Sequence, residues 1–257
     1  APADACLAME TILARRRTGG GSWTALLAER MPGRAAAALG GELLLTEENP
    51  SLAVGGRSWD EFLASASKNM REKIRRNTRK LERDHELRFD LCERPSQVEP
   101  MMRTLFDLHQ MRWQEGSSFD RAAVVAFHLD FAARALDRGW LRLWTMRIDG
   151  VPAAAWYGFR FGGTEAYYQS GRDPRFARFS VGFLMLVRTI RAAFDDGVAH
   201  YGFLRGDESY KSRFATESEV LETRAVGNGP TGCGAVRTGA LALRVPVLRE
   251  RLVAAIR

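Results

Sequence analysis

Phe62, Ala66, Met70, Ile74 and Leu81 return at roughly three-to-four-residue spacing, which predicts one long helix over about residues 59–84 with its apolar face inward. Ser58 stands three residues before Glu61 and supplies a capping box, each side chain satisfying a backbone amide at the helix start. Trp140 to Ile148 is rich in aromatic and branched residues and predicts a strand. Asp149-Gly150 then reads as a two-residue hairpin turn, since both positions tolerate positive φ. Ala153 to Phe161 runs back, Gly162-Gly163 turns again, and Thr164 to Ser170 completes a three-stranded antiparallel meander. Leu184, Val187, Ile190 and Phe194 give helical spacing over Val181 to Asp196, ended by Gly197, before a strand at Val198 to Leu204. Strand, helix and strand in that order imply a right-handed crossover with parallel pairing.

The remaining segments are plainer. They predict a weak helix at Ala3 to Arg16, a flexible break at Gly19 to Ser22, a helix from Trp23 to Met31 and a strand at Glu42 to Thr46. A strand at Leu87 to Glu93 and helices at Gln97 to Gln114 and Arg121 to Arg138 follow, Gly139 ending the last of these. Gly227 to Gly239 reads as a Gly-rich loop, followed by a short basic amphipathic helix from about Pro246. No internal repeat is visible.

Composition places the chain among ordinary globular proteins, with 257 residues, 46% hydrophobic and 27% charged. Three cysteines, Cys6, Cys92 and Cys233, are too few and too scattered for a disulfide framework or a Cys-rich metal site. A reducing, cytoplasmic setting is the expectation. The apolar stretches fall far short of a membrane span. Arg15 to Arg17 precede a Gly run rather than an apolar segment, so no export signal is expected, and Ala1 in first place implies a trimmed or fragmentary chain.

Charge changes the picture at one place. The net charge is +7, and eight bases against two acids between Lys68 and Arg83 leave +6 of it on the predicted long helix. A basic helix face suits nucleic acid, a phosphorylated cofactor or a phosphorylated substrate, and a merely solvated face explains it equally well. Duplex DNA is not expected, because no DNA-reading motif accompanies it.

Candidate chemistry is narrow. Phosphate-loop, nucleophile-elbow and His-Glu-x-x-His motifs are absent, and His85, His109, His128 and His200 lack metal-ligand spacing, so no metal is expected. Arg172, Arg175 and Arg178 fall within seven residues just before a helix start, where Ser180 is a natural N-cap and Gly182 admits close backbone approach. Unpaired amides at such a start bind phosphate well, and arginines add charge-assisted contacts; a plain capped loop is the alternative. Asp207, Tyr210 and Lys211 place an acid, a phenol and an amine at the end of the crossover strand, fit for proton transfer or for ordinary surface pairing. Arg112-Trp113 offers a substrate contact or simple packing.

Taken in order, Ser58-Trp59-Asp60-Glu61, the basic run Arg71 to Leu81, Arg112-Trp113, Asp149 to Ala154, Ser180-Val181-Gly182 and Gly206 to Lys211 resemble the CelD-like acyltransferases of the GNAT superfamily, relatives of the Fem peptidyltransferases. The resemblance spans about residues 51–226. It implies an α+β fold: a mixed, mostly antiparallel sheet flanked by helices, as a duplicated GNAT arrangement whose first half is a remnant at residues 1–67. Residues 68–226 would form the acyltransferase domain, and residues 227–257 the loop and terminal helix. The implied activity moves an acyl group from acyl-coenzyme A to an amine or hydroxyl of a small-molecule or saccharide acceptor, in exopolysaccharide biosynthesis for this branch. By position, Ser180, Val181 and Gly182 would present amides to the cofactor diphosphate with Arg178 alongside. Tyr168, Gln169 and Ser170 would line the thioester, Tyr210 and Lys211 would face the acceptor, and Asp207 would be the base. The chain has Val181 where the family often has Pro, and Gly182 alone remains of a fuller glycine loop. Two alternatives stay open: a Fem-like transferase using aminoacyl-tRNA held by the basic helix, and a non-catalytic scaffold. The transferase readings require a groove between residues 164–170 and 198–204 with the amides of residues 180–182 turned into it.

Overall fold

The structure, a computed structural model, describes residues 23–113, 117–204 and 211–242. The predicted helices at Ala3 to Arg16 and near Pro246, the Gly19 to Ser22 break, Asp207 and Tyr210 lie outside those residues. Two compact units are present.

The larger unit takes residues 50–204 and 208–217. Its strands run in the order β2-β7-β6-β5-β4-β3. They are the end of β2 (Glu42–Ala53), β3 (Leu87–Leu91), β4 (Leu141–Ile148), β5 (Val151–Phe161), β6 (Thr164–Arg172) and β7 (His200–Gly202). The pairings are antiparallel except between β6 and β7, which run parallel as the crossover requires. Asp149 and Gly150, with φ of 51° and 77°, form the expected tight turn. β4 is buried along nearly its whole length because helices cover both of its faces. Trp144, Met146 and Ile148 pack with α2 (Trp59–Ser65), α3 (Lys68–Asp84) and α6 (Val181–Asp195). Leu141 and Leu143 point the other way, toward α4 (Pro95–Trp113) and α5 (Ala122–Asp137), as the two-residue strand period demands. Glu165, fully buried near the start of β6, lies 3.0 Å from Arg142 and 2.7 Å from Arg160. Burial pushes its pKa up against the pull of those two cations.

The smaller unit holds residues 23–49 and 218–242 among those described. β1 (Ala25–Pro32) pairs antiparallel with β8 (Glu217–Gly227), and β8 lies next to β2. Helices α1 (Gly33–Leu39) and α7 (Gly229–Ala242) complete it, with Leu39 and Val226 as its buried core.

Four expectations are corrected. The long helix at 59–84 is two helices: Ala66 and Ser67 are extended, and the Ser67 hydroxyl accepts from the Met70 amide to start α3 afresh. Trp23 to Met31 is the strand β1, where pairing with β8 overrides a weak helical pattern and burial largely alternates residue by residue. Gly227 to Gly239 is not a loop, since α7 begins at Gly229. Its glycines serve close packing, because a Cβ at Gly232 would sit 2.0 Å from the Thr24 carbonyl oxygen. The last crossover strand is only His200–Gly202, and Leu204 already has φ of 55°.

Candidate active site at the parting of two strands

β6 and β7 pair at three positions, Thr164–His200, Glu165–Tyr201 and Ala166–Gly202, and then separate. β7 ends there while β6 runs six residues further, to Arg172. The opposite edge of β6 stays zipped to β5, with one irregularity: Tyr157 faces Gln169 but Gly158 faces Tyr167, so Tyr168 is an extra residue. Gly158 is required there, because a Cβ would meet the Ala166 carbonyl oxygen at 2.3 Å.

The bulge re-sorts side chains. Residues three apart on a regular strand face opposite ways, yet the Tyr167 hydroxyl and Ser170 Oγ lie 2.6 Å apart on one face. Tyr168 and Gln169 go to the other. Tyr168 packs against Tyr157, Phe159 and His128, and Gln169 Oε1 is 3.3 Å from His109 Nε2. At Gly171 the α4 backbone presses on β6 so closely that a Cβ would be 2.4 Å from the His109 nitrogen. One turn further along α4, Arg112 Nη1 donates to Ser170 Oγ at 3.0 Å.

Where the strands part lies a cavity of about 220 Å³. Ala154, Ala155, Trp156, Met185 and Leu186 make its apolar wall, and Tyr167, Ser170 and Gly171 follow the bulged strand. Trp156 is buried, stacks on Tyr167 at 5.9 Å and leaves its indole N–H unpartnered among the described residues. The charged lining is Lys73, Arg112, Arg172 and Arg213, with no carboxylate among the described residues. Lys73 Nζ sits 4.5 Å from the centroid of Phe183, and burial, with Arg213 and Arg76 nearby, pushes its pKa down.

The start of α6 stands at this cavity through Gly182 and Phe183. The chain reaches it by a three-ten turn at Pro174–Phe179, opened by the Asp173 carboxylate accepting from the Arg175 amide at 2.9 Å. The Arg175 guanidinium holds the Asp173 carboxyl below its usual range. Ser180 occupies the N-cap position in the left-handed region, at φ 55° and ψ 41°, and its hydroxyl makes no capping bond. The expectation of a Ser180 side-chain cap is thereby corrected: positive φ turns the side chain away from the amides it would have to reach.

Of the residues singled out from sequence, Ser170, Gly182, Arg112 and Arg172 line the cavity. Val181 is buried under the helix start, and Arg178 is exposed with its guanidinium 4.6 Å from Phe179. Tyr168 and Gln169 belong to the opposite face. Lys211 is buried, donates to the Leu204 carbonyl at 3.3 Å and is not part of the cavity wall. Trp113 is half exposed beside the Arg112 guanidinium. Tyr167, Trp156, Lys73 and Arg213 complete the site. Lys73 lies inside the run noted as basic; nothing in the local sequence marks the other three.

Among the described residues no group of three or more His, Cys, Asp and Glu converges, and no helix is long and apolar enough to cross a membrane.

A mostly antiparallel sheet flanked by helices, whose one parallel pair splays beside a helix start, is a GNAT-like fold. Residues 68–212, more than half of the chain, match the family described as acetyltransferase (GNAT) domain, and the chain belongs to that family. Solved structures of similar fold include the DUF2156 C-terminal domain of a candidate lysylphosphatidylglycerol synthetase from Agrobacterium fabrum. It is 16% identical, with 93% of this chain and 77% of that one covered at a TM-score of 0.59. FemX is 11% identical, with 84% and 75% covered at 0.58. L-PGS from Bacillus licheniformis is 12% identical, with 90% and 77% covered at 0.58. No curated protein sequence matches the chain.

Proposed function

We propose that the protein is an acyltransferase that moves an acyl group from acyl-coenzyme A to an amine or hydroxyl. The observation that carries this reading is the parting of β6 from β7 over a cavity with the start of α6 at its edge. The residues fit such a donor. The first amides of α6 have no partner within the helix, and Arg172, whose Nη1 is 3.7 Å from where a Cβ of Gly182 would be, adds charge for a diphosphate. Unpaired backbone on β6 and the apolar wall suit a narrow, uncharged arm. When bound, a thioester supplies an activated carbonyl; the protein supplies orientation and charge.

Tyr167 is the group best placed to move a proton. Its hydroxyl meets Ser170 Oγ, which accepts from Arg112, so a cation backs the chain and supports negative charge developing at the phenol end. The lining holds no carboxylate among the described residues, so the acceptor's proton leaves by water or by the segment containing Asp207, which we retain as candidate base. Tyr210 is a candidate acceptor contact from the same segment. Lys211 serves this reading by holding the Leu204 carbonyl rather than by touching substrate. Residues 68–226 as the catalytic domain, a cytoplasmic setting and a saccharide acceptor in exopolysaccharide assembly remain part of the proposal.

Calorimetric titration of the protein with acetyl- and longer acyl-coenzyme A tests it: saturable binding and acyl-dependent thiol release are expected, and no binding at millimolar donor overturns it. A second reading, an aminoacyl-tRNA donor, draws on the exposed bases Arg75, Arg76 and Arg79 of α3. It predicts tRNA binding that falls steeply with salt and vanishes when the three are changed to Glu.

A further inference from the structure

The cavity carries more positive charge than a donor diphosphate at the helix start accounts for. Among the described residues Arg172 alone lies against Gly182. Arg112 enters from the end of α4, Lys73 from α3 and Arg213 from the turn at Lys211–Arg213, so the excess comes from three separate elements. Among the described residues none of these three has an ion-pair partner. Arg112 donates to a neutral hydroxyl, and Lys73 rests on an aromatic ring. Gathering like charges around a partly enclosed apolar wall is unfavourable, since partial burial disfavours the charge of Lys73 and mutual repulsion among the cations adds to the cost. The lowered pKa of Lys73, from burial and from Arg213 and Arg76, records that crowding. Such a cluster is stabilised when an anion enters it.

Resting on the acyl-transfer reading, we infer that the acceptor is itself anionic: an amine or hydroxyl compound bearing a carboxylate or phosphate that Arg112, Lys73 and Arg213 bind. The reaction is then ordinary transfer, in which the acceptor nitrogen or oxygen forms the bond to the acyl carbon and the carbon–sulfur bond breaks. The acceptor's proton goes to solvent and the thiolate takes one through Tyr167. Oligocationic acceptors such as polyamines are excluded by the same charges.

Matched probes decide it. With acetyl-coenzyme A saturating, calorimetry compares phosphoethanolamine with ethanolamine, β-alanine with β-alaninamide, and inorganic phosphate alone. At least one anion-bearing probe is expected to bind about tenfold or more tighter than its twin without the anionic group, the phosphate and carboxylate arms showing which anion is preferred. Arg213→Gln, at an exposed position, is expected to erase that preference while leaving acetyl-coenzyme A affinity unchanged. Equal binding of twins with and without the anionic group, no binding by any anion-bearing probe, or anion-bearing probes competing with acetyl-coenzyme A all overturn the inference. Acetyl-coenzyme A titrated alone separates its failure from that of the donor reading. If that donor fails to bind while Arg213→Gln still abolishes binding of anion-bearing probes, the anion site stands and the coenzyme A donor falls.

Discussion

The two faces of β6 are built from the same nine residues and treat them in opposite ways. On one face α4 and α5 close down: Gly171 has backbone against it, and His109, His128, Tyr157 and Tyr168 fill the space with rings. On the other, Tyr167 and Ser170 look into a cavity edged by cations. A single bulged residue produces the division, because without it Tyr167 and Ser170 would fall on different faces. Rigidity and access are therefore adjacent properties of one strand, and the tightly packed face holds the reactive one in position.

The largest effect expected comes from breaking the sealed face. Gly171→Val would place a Cβ 2.4 Å from the His109 nitrogen and 2.5 Å from the Leu108 carbonyl carbon, both backbone atoms that cannot rotate away. Overpacking of that kind costs about 3 kcal/mol or more. A fall of that size in the unfolding free energy from urea titration is expected, with loss of transferase activity following from lost structure. A cost below about 1 kcal/mol would mean that α4 is free to move off β6, and the contrast between the faces would fail.

Next in size is a test of the sorting itself. Tyr167→Phe removes the hydroxyl that meets Ser170 and is expected to lower kcat about a hundredfold, the scale of a lost general acid, with the urea midpoint nearly unchanged. Tyr168→Phe, one residue along on the ring-filled face, is expected to leave kcat within about twofold. Equal losses for the two would show that the bulge does not decide which phenol does chemistry. The pair needs only a thiol-release assay and one denaturation curve for each variant.

The meander and its crossover could be read directly from the chain because their signals are local: Asp149-Gly150 and Gly162-Gly163 turn with positive φ, and Leu184, Val187, Ile190 and Phe194 repeat on one helix face. β1 and β8 could not, since they exist through pairing between residues nearly two hundred positions apart, and no local pattern encodes a partner. The site divides in the same way. Ser170, Gly182, Arg112 and Arg172 stand out by position, whereas Tyr168 and Gln169 enter with Ser170 only through the family resemblance, on a strand whose bulge turns them to the other face. That bulge depends on Gly158 of the neighbouring strand, and Arg213 joins the cavity only through the chain's return after β7. Proximity created by tertiary structure left no trace in spacing.

The smallest expected effect belongs to the sealed face and uses its two histidines. Burial holds both His109 and His128 below their ordinary value of 6.5, so the folded protein keeps these rings neutral where the unfolded chain takes up protons. The unfolded state then binds more protons below 6.5, and stability present at pH 7 and above is lost as pH falls from 6.5 through the lower folded values. Among the described residues His128 Nδ1 has no hydrogen-bond partner, and its ring sits among Phe119, Phe127, Tyr157 and Tyr168. His128→Phe should therefore keep the packing and remove one titrating group. The urea midpoint of the parent is expected to slope downward between pH 6.5 and 5, and that of the variant to slope less. Parallel slopes would mean that His128 is protonated without unfolding, which requires water to reach a face that otherwise excludes it, and the difference between the two sides of β6 would then be one of charge alone.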